Sequence, residues 1–239
     1  MAELGLDRIY LINVKAFVER REHALAQLAR FGLSAELVHD WDAQDITPEI
    51  DARYFAGSGL SLQQKSCCLK HVTALKRIVE RGERYALVLE DDVVLAPEFA
   101  EGVGAALAQS PRHASPQVIF IGCGGNFYTP RSQRKPGERL YPSLRGRFAD
   151  SYIIGADAAR VRLDWIAQNR VAKPIDNQFE AIDRARGIQM LWLEEPVVEQ
   201  GSKVGRFDTT LEPAHPRWLQ RLLFALEKLR RKYVYQLWR

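Results

Sequence analysis

The chain has 239 residues, 46% hydrophobic and 27% charged, with a formal net charge of +4 at pH 7. That composition excludes a collagen-like or low-complexity chain, and the length suffices for one sizeable core. Three cysteines, Cys67, Cys68 and Cys123, are too few and too odd in number for a disulfide framework and fit a reducing compartment.

The opening MAELGLDRIYLINV carries Glu3 and Asp7 where a secretory leader would carry basic residues. No stretch reaches the roughly 18 apolar residues of a membrane span. The expectation is a cytoplasmic protein whose contact with a membrane is peripheral. The basic excess is local. Segment 213–239 holds Arg217, Arg221, Lys228, Arg230, Arg231, Lys232 and Arg239 against the single acid Glu227, a surplus larger than that of the whole chain. The body of the protein is therefore slightly acidic.

In chain order, RIYLINV (8–14) reads as a short buried strand. EHALAQLARFGL follows with helical spacing at Leu25, Leu28 and Ala29, and Gly32 stops it. AELVHDW (35–41) is a second strand. The stretch from Leu62 to Gly82 is a helix with Cys68, Val72, Leu75, Ile78 and Val79 on one face and Gly82 as its stop. YALVLED is a strand, and PEFAEGVGAALAQS a helix with Pro97 in its first turn. QVIFIG and SYIIGA are strands, DAARVRLDWIAQN is a helix, and IQMLWLEEPVVEQ supplies one or two last strands. Alternating strands and helices predict an α/β sheet with helices on both faces. Segment 124–148 is rich in Gly, Pro and basic residues and has no period. It reads as a loop that either faces phosphates or is simply solvated.

YALVLEDDVVL poses the functional question. Glu90, Asp91 and Asp92 repel one another where the chain should enter a core. Strand alternation sends Glu90 and Asp92 one way and Asp91 the other. Ligands of α/β sheets gather at the carboxyl ends of strands, and carboxylates there suit a divalent cation that also takes substrate phosphate. The alternative is that Asp91 or Asp92 caps a turn or pairs with an Arg. Cys67 and Cys68 with His71 suggest zinc, but the sequence offers no second ligand pair at suitable spacing, so zinc is set aside. Neither a phosphate-binding loop nor a Ser-His-Asp arrangement is present. A nucleic-acid role is set aside because the basic charge lies in one helix and one loop without a recognised motif.

Several blocks together resemble glycosyltransferase family 25, the lipopolysaccharide and lipooligosaccharide glycosyltransferases related to collagen galactosyltransferases. YLINVKAFVERRE places Asn13, Arg20 and Arg21 on the family pattern. The block around Cys67 and His71 resembles its Cys-x-x-Ser-His element, and YALVLEDDVVL its acid motif. SYIIGADAAR, KPIDNQFE and VVEQGS follow in the family's order. Ala16, Gln64 and Lys70 stand where the family usually has a basic residue, Glu and Ser.

The resemblance implies a GT-A-like, Rossmann-type sheet over residues 1–212, and the spacing of the segment after it predicts a basic amphipathic helix over 213–239. It implies a metal-dependent, inverting transfer of a hexose such as galactose from a UDP-sugar to a lipopolysaccharide or related glycan. Glu90 and Asp92 would hold Mn²⁺ or Mg²⁺, and Asp91 and Asp176 would be the catalytic carboxylates. Asn13, Arg20, Arg21, His71, Gln200 and Ser202 would contact substrate. Asp176 could equally cap the helix starting at NQFEAIDRAR, and the two roles are compatible. The alternative function is a catalytically degenerate, membrane-attached scaffold of the same fold. The last expectation concerns residues 214–239. There Leu219, Leu222, Leu223, Leu226, Leu229, Tyr233 and Leu237 recur at helical spacing opposite basic residues. Such a helix can lie on an anionic membrane at the inner cytoplasmic face, or pack on the body or on a second subunit.

Overall fold

Alternate residues of the central strands enter two different cores. The computed structural model describes residues 4–55, 57–125, 128–201, 222–223, 225–227 and 229–234. On β3 (Ala86–Glu90), Ala86 and Val88 join one cluster while Leu87 and Leu89 join the other. On β1 (Arg8–Ile12), Tyr10 and Ile12 face the first, and Ile9 and Leu11 the second. The first cluster is closed by α3 (Leu62–Arg81), α5 (Ala156–Gln168) and α6 (Ile175–Arg186). The second is closed by α1 (Val18–Ala29) and α4 (Phe99–Gln109). Each fully buried Leu or Val contributes about 1.5–3 kcal/mol, so both faces of the sheet must be covered. That is the α/β architecture expected from the sequence.

The remaining sheet strands are β2 (Glu36–Val38), β5 (Gln117–Phe120), β6 (Leu140–Ser143), β7 (Ser151–Ile154) and β8 (Gln189–Leu193). The order is β2-β1-β3-β7-β5-β8-β6. β2, β1, β3, β5 and β8 run one way, and β7 and β6 run against them. A small separate ribbon pairs β4 (Val93–Leu95) with β9 (Val198–Gln200). A short helix, α2 (Pro48–Tyr54), was not read from the sequence; Thr47 caps it by accepting from the Ile50 N–H at 3.4 Å.

α3 has the limits expected. Ser61 and Gln64 form a reciprocal capping box at its start, and Gly82 ends it in the left-handed region at φ 66°. Two other helices start differently. α4 begins at Phe99, two residues after Pro97. α6 begins at Ile175, which puts Asp176 inside the first turn and Pro174 at the cap position. Asp176 is therefore not the cap.

Segment 124–148 is also more ordered than its composition suggests, because it contains β6. Pro142 disguises this strand. Proline is tolerated there because β6 is an edge, paired only with β8. Its arginines meet protein partners. Arg147 donates to the carbonyls of Gly122 and Leu193, each at 2.9 Å. Arg134 pairs with Glu194, and Arg139 with Glu101 at 2.7 Å. These contacts engage three basic groups of the loop with protein rather than phosphate.

α5 and α6 are joined by an ion pair with both side chains 0% exposed. Arg162 Nε donates to Asp183 Oδ1 at 2.8 Å and Nη2 to Oδ2 at 2.6 Å, and the guanidinium lies 4.0 Å from the Phe179 ring centre. Removing one partner strands a buried charge. Arg162→Ala should lose about 3–5 kcal/mol in denaturant unfolding. Replacing both partners with apolar residues should cost much less than either single change.

Candidate active site

The acids lie where β3 ends. Glu90 is the last residue of that strand, and Asp91 and Asp92 form the turn into β4. The turn is held from both sides. Gln27 of α1 donates to the Val93 carbonyl and accepts from the Leu95 N–H, both at 2.8 Å. The Asp92 carbonyl accepts from the Gly201 N–H at 2.5 Å. This stitching directs the chain out of the sheet and sets β9 beside the acids, with Gln200 opposite Val93.

The carboxylates of Glu90 and Asp91 separate as strand alternation predicts. Asp91 accepts from Asn13 Nδ2 at 2.7 Å, and Arg20 Nη1 lies 3.5 Å from its other oxygen. Burial pushes Asp91 up to about 6, with Asn13 and Arg20 pulling the other way. Asn13 Oδ1 meets His39 Nε2 at 2.9 Å, and Arg20 stacks over Phe17. Arg21 is half-buried, and its charge helps to lower the His39 pKa, after burial.

Glu90 turns instead towards α3. Its Oε1 accepts from Cys67 Sγ at 3.6 Å and lies 3.4 Å from His71 Nε2. His71 Nδ1 meets the Tyr152 hydroxyl at 3.0 Å. With Tyr152 donating, Nε2 carries the proton and donates to Glu90, so the chain Tyr152–His71–Glu90 is satisfied. Burial, reinforced by Glu90, holds the Cys67 thiol well above its ordinary pKa. The donor atoms of Cys67, His71 and Glu90 lie within 4.8 Å of one another. The fold thus supplies from β3 the third potential ligand that sequence spacing lacks, and the reason for setting a Cys/His metal site aside does not hold. Cys68 is buried in the core.

Asp176 sits near this group. Burial raises its pKa, the Asn177 N–H opposes the rise, and the Glu90 charge adds to it. The fold therefore brings together Asp176, His71 and Glu90 from three separate elements. Ser202 lies outside the described residues.

Asp150, just before β7, was missed from the sequence. It is 0% exposed. Its Oδ1 accepts from Ser151 Oγ at 3.3 Å, while its Oδ2 has no hydrogen-bond partner among the described residues. Burial, with the charges of Glu90 and Asp92, holds its pKa well above the usual carboxylate range. Gly122, two residues past the end of β5, lies against it: a Cβ there would come within 2.8 Å of Asp150 Oδ1. An acid flanking SYII was a weak signal, since only the antiparallel β3–β7 pairing sets it against Glu90. A hard divalent cation suits this set: several buried carboxylates, one orphaned oxygen and a glycine leaving room above it.

Acids gathered at the carboxyl edge of an α/β sheet define a class of proteins whose ligand sits at strand ends. The sequence model described as "Glycosyltransferase family 25 (LPS biosynthesis protein)" matches residues 6–122. The match covers just under half of the chain, and over that part the chain is similar to this family. It is 26% identical over 132 residues to a Drosophila melanogaster "Glycosyltransferase 25 family member", covering 51% of this chain and 22% of that protein. The human "Inactive glycosyltransferase 25 family member 3" is 27% identical over 110 residues, covering 41% and 18%. The aligned part spans about a fifth of the length of these curated relatives. Among solved structures, the catalytic domain of Drosophila β1,4-galactosyltransferase 7 in complex with xylobiose aligns with a TM-score of 0.45 at 8% identity, covering 91% of this chain and 78% of that one.

Proposed function

We propose that the protein is a GT-A-like hexosyltransferase. It moves a hexose such as galactose from a UDP-sugar to a lipopolysaccharide, lipooligosaccharide or related glycan, with inversion. The observation that carries the reading is the group of carboxylates around the end of β3, where the Glu90 charge acts on both Asp176 and Asp150 and the Asp92 charge acts on Asp150, in a chain that the family 25 model matches over residues 6–122. Glu90 and Asp92 would hold Mn²⁺ or Mg²⁺, which supplies Lewis-acid neutralisation of the departing diphosphate.

The chain's own residues do the rest. The acceptor oxygen attacks the anomeric carbon as the bond from that carbon to the diphosphate oxygen breaks, and the acceptor proton passes to an Asp176 carboxylate oxygen. Burial makes Asp176 a stronger base than an ordinary aspartate. His71 fixes Glu90 through the Tyr152 contact. Asp91 acts at one remove from the reacting carbon, since it clamps Asn13 and Arg20 on the side proposed for the nucleotide. Gln200 lines the β9 wall, and Arg21 and Ser202 complete the proposed substrate contacts.

The degenerate-scaffold alternative rested on Gln64 and Lys70, and both have local structural work. Gln64 accepts from the Ser61 N–H at 3.0 Å in the capping box. Lys70 is buried and donates to Asp42 at 2.7 Å and to the Asp40 carbonyl at 2.8 Å. Neither substitution points to loss of activity. The test is UDP release by the purified chain with Mn²⁺ and a panel of UDP-sugars. Release with one donor, stimulated by a glycan acceptor, is expected. No release and no binding of any donor would sink the reading.

A peripheral membrane role for residues 214–239 belongs to the same proposal. Among the described residues, Leu222, Leu223, Leu226, Leu229, Tyr233 and Val234 are all about half exposed, between 47% and 54%. No described helix is long and apolar enough to cross a membrane. Leucines exposed on a strongly basic segment suit an anionic surface, where each Lys or Arg adds about 1 kcal/mol of attraction. The chain should bind anionic vesicles at low salt and release them as salt rises. A chain lacking 214–239 should keep donor hydrolysis and lose binding. If truncation instead makes the body insoluble and the full chain ignores vesicles, those leucines pack on protein.

A further inference from the structure

Asp150 has a burden that its protein neighbours do not relieve. The Glu90 N–H donates to the Asp150 carbonyl at 2.9 Å, one step beyond the Leu89–Ser151 pair of the β3–β7 ladder. Residues directly opposite in an antiparallel pair project to the same face, where like charges destabilise the pairing. Glu90 and Asp150 are therefore facing carboxylates, and the Asp92 charge acts on Asp150 as well. A buried acid that needed no cation could be replaced by Asn at lower cost. A protonated Asp150 would still leave one oxygen without a partner among the described residues.

The surroundings point the same way. The carboxylate leans over Gly122, the one residue type that leaves it space there. Arg147 is within electrostatic reach and donates to the Gly122 and Leu193 carbonyls.

We infer that Asp150 is a further carboxylate of the divalent-cation site, facing Glu90 and Asp92 from the opposite strand and aiming its unpartnered oxygen at the ion. This rests on the metal-dependent reading above and extends it to a residue outside the acid motif. The cation would offset the repulsion that otherwise opposes closure of the β3–β7 edge. Asp150 thereby ties metal loading to the seam between β3 and β7.

The test is Mn²⁺ binding by the full chain without donor, followed through the loss of the free-ion EPR signal. Native protein should bind, and Asp92→Ala should bind weakly or not at all. Asp150→Asn keeps the shape and removes one charge, and its affinity should fall on the order of tenfold or more. Its melting temperature without metal should stay at or above native, and the rise on adding Mn²⁺ should shrink. No binding by native protein would sink the metal reading itself. Binding lost in Asp92→Ala but intact in Asp150→Asn would overturn this inference alone. An Asp150→Asn chain that loses its fold without metal would also overturn it, because the charge would then serve Arg147 or the core.

Discussion

Asp176→Asn should lower turnover by about 10²–10⁴-fold, the range for loss of a positioned general base, while hardly moving thermal stability. Asn fills the same space and can still accept from the Asn177 N–H, a contact of 2.9 Å in the native chain. What it loses is the proton site and a negative charge in the first turn of α6, worth about 0.3–1 kcal/mol with the helix dipole. Removing a charge near Glu90 offsets part of that. The pH profile separates the roles further. Burial and Glu90 raise the Asp176 pKa, and the base must be unprotonated to act. Native turnover should therefore fall as pH drops through a limb lying above the ordinary carboxylate range, and Asp176→Asn should lack that limb. A variant that melts earlier but turns over normally per folded molecule would reduce Asp176 to a helix-start residue.

The two-sided burial of the sheet is what made the fold legible. Strands such as ALVLE and QVIF are apolar on consecutive residues because both faces are covered, and helices between them carry apolar stripes at helical spacing. α3 was legible to its ends because Ser61 and Gly82 act locally. β6 was hidden because edge pairing, a tertiary fact, is what permits Pro142. The start of α6 was misread because Asp176 is a good cap residue in isolation, whereas the chain enters the helix at Pro174.

The site was legible in part, for the same reason. Glu90, Asp91 and Asp92 announce themselves because three adjacent acids in an apolar run conflict with local preference, and such conflicts mark functional positions. Asp150 creates no local conflict. Its cost appears only when β7 pairs antiparallel with β3 and burial removes water. Glu90 as a partner of Cys67 and His71 is equally a product of packing α3 on the sheet, which no spacing rule along the chain contains. Lys70 is the reverse case. Its place in the motif block suggested a functional change, and its burial against Asp42 explains it locally.

Asp92→Ala should abolish transfer and leave the fold intact. Asp92 is only 6% exposed, and its carbonyl accepts from the Gly201 N–H. That contact is backbone and survives the substitution. The Asp92 charge acts on the buried Asp150, so in the absence of a cation its removal relieves that repulsion. Melting temperature without metal should hold or rise, although a core truncation normally lowers it. Activity should move the other way. A cation that neutralises the leaving diphosphate supplies several kcal/mol of transition-state stabilisation, and losing it should cost on the order of 10²-fold or more in turnover. Excess chelator should do the same to native enzyme, and Mn²⁺ should restore native but not variant activity. Full activity in Asp92→Ala, or a native enzyme indifferent to chelator, would remove the metal from the mechanism. A sharp fall in metal-free stability would instead make Asp92 a structural acid.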